Sequence, residues 1–296
     1  MSELLARLRG GATLLADGAM GTLLIARGLP PGEPPESFNL EHPDLLAEIA
    51  HLYREAGADI VHTNTFGGSP LKLAMYGLED QAAEINRRAV AAARQGAGAQ
   101  AIVSGSVGPS GCTLQPYGDA EPDALYASFR AQIAALLDAG VDAVTIETMT
   151  DLNEASLAIR ASRDLSGTLP ILATMTFDET PRGFYTIMGT SVADAVSGLG
   201  AAGADAVGSN CGNGIAKMVA IAREMREIAE QPLIIQSNAG LPEIEGERTV
   251  YRETPDLMAA QAQELLELGV SIIGGCCGTT PDHIRALRRI IDTMAR

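Results

Sequence analysis

The sequence predicts a (β/α)8 TIM barrel, and three observations carry that expectation. A segment repeats in which an alanine-rich helical stretch ends at Gly and a short apolar strand with a polar end follows: AGADIVHTN at Gly57, AGVDAVTIE at Gly140, AGADAVGSNC at Gly203 and LGVSIIGGCC at Gly269. Gly suits the position just past a helix, where the backbone turns left-handed. The four glycines lie far enough apart for one more strand and helix between each pair. The strands read as continuous apolar runs, as parallel strands buried on both faces do.

The intervening strands are predicted at 101–107, 170–177 and 233–236, and an opening strand at 13–16 brings the count to eight. Helical periodicity predicts helices over 43–56, 81–94, 123–139, 152–165, 192–202, 217–229, 256–268 and 282–294. The rival architecture is an open doubly wound sheet. It calls for a Gly-x-Gly-x-x-Gly turn after the first strand, which Gly18 and Gly21 in DGAMGT match only in part. A barrel of this length forms one domain, expected to span residues 1–296.

With 46% hydrophobic and 20% charged residues, the 296-residue chain can bury a full core. Its formal net charge of -16 disfavours nucleic acid and anionic lipid. The nearest approach to a basic cluster, Arg285, Arg288 and Arg289, reads as a solvated helix face. No apolar run is long enough to span a membrane and the N-terminus lacks a signal pattern, so a cytoplasmic location is expected. In a reducing compartment, four cysteines point to packing, metal or catalysis rather than a disulfide framework.

In a barrel, the C-terminal strand ends share one mouth, where active sites form. Those ends read Asp17, Asn64, Ser106, Glu147, Phe177, Asn210 with Cys211, Asn238, and Cys276 with Cys277. Three cysteines there could hold zinc with a fourth position open, the mark of a catalytic site. Gly274, Gly275 and Gly278 would permit the turn that aims both adjacent thiols inward. The same spacing also suits small buried hydrophobes or a vicinal disulfide. Cys112, in a Pro-Ser-Gly loop, stands apart. A three-thiolate zinc site with an open position favours a thiol substrate, because zinc lowers a bound thiol's pKa. Asp17 and Glu147 would suit an ammonium group, and backbone N–H groups at Gly18 a carboxylate. A turn cap and an ion pair are the alternatives for the two acids. Asn64 and Asn210 either orient these groups or satisfy loop backbone. His62 reads as a packed histidine rather than a metal ligand, with no second ligand at suitable spacing.

These segments, LLADGAMGT, AGADIVHTNTF, VGPSG, IETMTDLNEA, GSNCG, NAGLP and GGCCGTTPDHI, run in order along nearly the whole chain. Together they resemble the homocysteine S-methyltransferase family, most closely the homocysteine-binding module of cobalamin-dependent methionine synthase. The resemblance implies a (β/α)8 barrel, zinc on Cys211, Cys276 and Cys277, and the homocysteine amino group near Asp17 and Glu147. It implies methyl transfer to L-homocysteine, giving methionine. The large methionine synthases continue into folate-, cobalamin- and activation modules, whereas this sequence stops at Arg296. The expected donor is methylcobalamin on a separate corrinoid protein, since TNTF and GGCCGTTP lie closest to the methionine synthase pattern. A free donor, S-methylmethionine or betaine, and a non-catalytic zinc-binding subunit are the alternatives. The stretch TFDETPRGFYTIMGTS departs from the large enzymes' pattern and would lie beside the zinc, facing the donor.

Overall fold

The computed structural model describes residues 2–246 and 248–294. Eight parallel strands form one sheet: β1 (Leu14–Leu15), β2 (Ile60–His62), β3 (Ile102–Val107), β4 (Ala143–Met149), β5 (Ile171–Met175), β6 (Ala206–Asn210), β7 (Leu233–Ser237) and β8 (Ile272–Gly275). Their spatial order is β1-β8-β7-β6-β5-β4-β3-β2. A parallel bridge between Ala16 and Ile60 brings β1 back to β2, so the sheet closes into the expected barrel.

Eight main helices alternate with the strands: α1 (Pro43–Glu55), α2 (Ala82–Ala97), α3 (Pro122–Asp138), α4 (Leu152–Leu165), α5 (Val192–Ala202), α6 (Ile215–Arg226), α7 (Pro255–Glu267) and α8 (Pro281–Met294). Three of them start one residue earlier than the periodicity suggests, on Pro122, Pro255 and Pro281. Proline's missing N–H costs nothing in the first turn. Gly57, Gly140, Gly203 and Gly269 all have positive φ, between 72° and 109°, as their place after a helix requires.

Side chains two apart on a strand share a face, which explains how the barrel interior changes character along its axis. At the bottom, Leu14, Ile60, Ile102, Ala143, Leu172, Ala206, Ile234 and Ile272 form an apolar floor. A helix the periodicity did not reveal, Glu3–Arg9, closes that end with Leu4 and Leu8. It is pinned by Arg7 to Asp59 at 2.7 Å. Two residues farther along, the same inward positions become His62, Ser104, Thr145, Thr174 and Gln236, and beyond them Ser106, Glu147 and Asn210.

Gly208 and Gly274 occupy the middle of this ladder because no side chain fits. A Cβ on Gly208 would lie 1.7 Å from the Ile234 carbonyl oxygen, and one on Gly274 would lie 2.8 Å from the Ala16 Cβ. Gly208→Ala is therefore expected to cost about 3 kcal/mol, since the clash is with backbone that has no rotamer to yield. A urea midpoint within error of the wild type would contradict this account of the β6–β7 approach. Two hairpins emerge above the barrel, Asp178–Thr180 with Gly183–Tyr185, and Glu243–Glu245 with Arg248–Val250. Among the described residues, no helix is long and apolar enough to cross a membrane.

Candidate metal centre and acceptor pocket

The three cysteines that the sequence places at strand ends come together. Cys211 follows β6, and its N–H donates to the Gln236 carbonyl of β7 at 3.1 Å. It adopts φ 60°, a left-handed conformation rare outside glycine, and Gly212 continues the turn at φ 73°. Cys276 and Cys277 lie in a turn just past β8. The Cys276 N–H donates to Ser237, and its carbonyl accepts from the N–H and the hydroxyl of Thr279. Gly278, at φ 80°, completes the turn with no room for a side chain, since its Cβ would meet the Tyr251 ring at 2.2 Å.

The Cys211 and Cys277 sulfurs are 3.7 Å apart, and all three Sγ atoms lie within 4.8 Å of one another. A disulfide needs about 2.05 Å. Tetrahedral zinc with thiolates at about 2.3 Å sets its sulfurs roughly 3.8 Å apart. The arrangement thus fits a metal and does not fit a bond. Among the described residues, this trio is the one group of His, Cys, Asp or Glu with metal-ligand spacing. Hydrogen bonds from Cys211 and Cys276 pull the Cys277 thiol down to about 3 against its burial, with the Tyr251 hydroxyl adding a further donor. For Cys211, its bond with Cys276 lowers the pKa, but its bond to Cys277, burial and the Cys277 charge outweigh it and raise the thiol to about 11.

Beside the thiols, Glu147 sits on a β4 bulge where pairing with β5 slips between Ile146 and Met149. The next residue, Thr148, is β-branched and left-handed at φ 61°, which is strained backbone. Asn210 holds it there. Its Oδ1 accepts from the Thr148 N–H and the Thr174 hydroxyl, both at 2.7 Å. Its Nδ2 donates to Thr148 Oγ1 at 2.8 Å and Glu147 Oε2 at 3.2 Å, and lies 3.8 Å from the Cys276 sulfur. Ser106 donates to the other Glu147 oxygen at 2.5 Å. Burial raises the Glu147 pKa, opposed by the His62 charge and the Ser106 hydrogen bond.

Asp17, just past β1, is 2% exposed. Both of its oxygens are held by one residue: the His62 N–H donates to Oδ2 at 2.8 Å, and His62 Nδ1 lies 2.7 Å from Oδ1. The other ring nitrogen lies 3.0 Å from Thr145 Oγ1, which is 2.7 Å from Ser104 Oγ. Burial alone would lower the His62 pKa, but the Asp17 charge and hydrogen bond, helped by Glu147, raise it to about 9. A pKa raised from 6.5 contributes stability that is full below pH 6.5 and is lost as pH climbs through 9. The stability gap between wild type and His62→Asn should accordingly narrow by roughly 3 kcal/mol from about pH 6 to about pH 10 in urea unfolding. A gap independent of pH would refute the ion pair.

Asp17, Glu147 and the three thiols line one cavity of about 400 Å³, with Gly18 in its wall. A Cβ at Gly18 would strike Thr279 Oγ1 at 2.6 Å, so glycine is required there. The rest of the lining is mixed: Met20, Pro34, Pro35 and the exposed Phe66 and Tyr76 stand with Glu36 and Lys72.

A family model described as homocysteine S-methyltransferase matches residues 14–291. The chain belongs to the homocysteine S-methyltransferase family. It is 34% identical over 291 residues to methionine synthase of Mycobacterium leprae, covering 92% of this chain and 24% of that protein. It is 33% identical over 302 residues to methionine synthase of Mycobacterium tuberculosis, covering 96% and 25%. The chain thus spans about a quarter of the length of these curated relatives. The structure of homocysteine methyltransferase MmuM from Escherichia coli, in its metallated form, superposes with a TM-score of 0.79 at 27% identity, over 96% of this chain and 98% of that one.

The barrel of this family member gathers Asp17, Gly18, Asn64, Glu147, Cys211, Cys276 and Cys277 around the cavity, as the strand-end reading expects. Two asparagines in that reading turn inward on the protein. Asn64 Nδ2 donates to the Pro35 carbonyl and to Asn39 Oδ1, and Asn210 is consumed by the contacts above. Phe177 is fully buried core rather than a mouth residue, because β5 ends at Met175. The Asp178–Tyr185 hairpin is not part of the cavity wall, and Glu179 pairs with Lys217 of α6 at 3.0 Å instead. Sequence reasoning passed over two contributors. Gln236 lines the cavity with a buried Oε1 that has no partner among the described residues, and the Tyr251 ring covers Gly278. Their strands and turns carry no motif that marks them.

Proposed function

We propose that this chain transfers a methyl group to the thiolate of L-homocysteine, giving methionine, with zinc held by Cys211, Cys276 and Cys277. The observation that carries the reading is the convergence of three thiols within 4.8 Å of one another with two fixed carboxylates on one cavity. When bound, the zinc would lower the pKa of a substrate thiol and keep its sulfur nucleophilic at neutral pH.

The chain's own groups then orient the acceptor. Asp17 and Glu147 take its ammonium group, with their hydrogen bonds to His62, Ser106 and Asn210 fixing both carboxylates in advance. The Gly18 N–H takes the acceptor's carboxylate, the neighbouring Ala19 N–H being held by Thr279 Oγ1. The Asn210 amide beside Cys276 steadies thiolate charge from outside the ligand set. The acceptor sulfur attacks the methyl carbon opposite the leaving group, so that the S–C bond forms as the donor–carbon bond breaks.

The donor is methylcobalamin on a corrinoid protein. The higher identity to methionine synthases supports this choice, and the exposed Phe66 and Tyr76 in the cavity wall suit a large donor. A second reading, a free donor such as S-methylmethionine or betaine, is favoured by the match to nearly the full length of the Escherichia coli homocysteine methyltransferase. Incubating the zinc-loaded protein with homocysteine and each donor in turn, with methionine measured by mass spectrometry, separates them. Methionine is expected with methylcobalamin. Formation from S-methylmethionine or betaine alone would select the second reading, and no methionine from any donor would leave a non-catalytic zinc protein.

A further inference from the structure

We propose that His62 is a positioning residue that sets acceptor specificity, by clamping both oxygens of Asp17 so that their remaining lone pairs face the amino group of the acceptor. The inference rests on the reading of Asp17 as an ammonium ligand and goes beyond it. No other group among the described residues makes a hydrogen bond to the Asp17 carboxylate: its two bonds, at 2.7 and 2.8 Å, both come from His62. A carboxylate held at one oxygen can swing about its Cβ–Cγ bond, whereas one held at both has a fixed plane. His62 is itself fixed, being 8% exposed and tied through Nε2 to Thr145 and on to Ser104. The clamp therefore runs across four adjacent strands, β1 to β4, and ends on a rigid part of the barrel.

The raised His62 pKa adds that the ring is an imidazolium at neutral pH. It then donates from both nitrogens, and it offsets the Asp17 charge, one of three carboxylates on the cavity with Glu36 and Glu147. With its charge offset, Asp17 acts chiefly as an oriented acceptor of hydrogen bonds. Discrimination by a fixed, buried acceptor is stronger than by a mobile one, because an acceptor molecule lacking the donor leaves it unpaired.

Two substitutions divide the histidine's two ends. In His62→Asn the amide nitrogen can stand in for Nδ1 and keep the bond to Asp17. In His62→Gln the longer amide reaches toward the Nε2 position and gives up Asp17 Oδ1. The measurement is kcat/KM for homocysteine divided by kcat/KM for 4-mercaptobutanoate, which lacks only the amino group, with zinc-loaded protein and saturating methylcobalamin. The ratio is indifferent to partial unfolding, which lowers both rates alike. The wild type should prefer homocysteine, His62→Gln should lose about tenfold of that preference, and His62→Asn should keep most of it. An unchanged ratio in His62→Gln would make the histidine merely structural and overturn the proposal. An equal loss in both variants would overturn the Nδ1 clamp. A wild type with no preference would overturn the ammonium reading of Asp17, and the proposal with it.

Discussion

Replacing Cys276 by alanine should abolish methyl transfer and zinc retention together while leaving the barrel folded. Three ligands with an open fourth position are the minimum for a tightly held catalytic zinc. Two thiolates leave two positions to water, and bound zinc should fall from about one per chain to on the order of 0.1 after dialysis. The fold should survive because Cys276 makes its structural contacts through backbone, its N–H to Ser237 and its carbonyl to Thr279, which alanine preserves. Metal analysis, far-ultraviolet circular dichroism and methionine formation on one preparation check all three parts. Retained methyl transfer without zinc would remove the metal from the reaction.

The second large effect is expected at Asn210. Asn210→Ala removes the only side-chain partner of Glu147 Oε2 among the described residues and both contacts that hold Thr148 in its left-handed turn. It also leaves the Thr174 hydroxyl without its acceptor. Buried groups stripped of partners cost about 1 to 3 kcal/mol each, partly recovered by relaxation, so a loss of about 3 kcal/mol is expected. Because Glu147 then loses its fixed position, KM for homocysteine should rise on the order of tenfold beyond what lower stability explains. Thermal unfolding and steady-state kinetics measure the two separately. A variant that loses stability with unchanged KM would confine Asn210 to a scaffold role.

Much of the barrel was legible because its two periodicities are strong. Strands buried on both faces leave continuous apolar runs, and the glycines after four helices mark where each next strand begins. The polar switch at the strand ends singled out Asp17, Glu147 and the cysteines, which share one cavity, without any tertiary information. The helix Glu3–Arg9 escaped because seven residues are too few to display a period, and its burial depends on an apolar floor assembled from eight separate strands. His62 was legible only as a buried histidine. Its partner is 45 positions upstream, and the two meet because the Ala16–Ile60 bridge closes the barrel. Thr148 and Cys211 carry left-handed backbones that no local residue preference announces, since both are residue types that avoid them. Phe177 was misplaced for the opposite reason: an apolar run continues past the last paired residue of β5, and only pairing shows where a strand ends.

X-ray absorption at the zinc edge, on the loaded protein before and after adding L-homocysteine, tests the central claim most directly. The account predicts three sulfur neighbours at about 2.3 Å without the acceptor and four with it. A shell of fewer than three sulfurs, or one that homocysteine leaves unchanged, would contradict it.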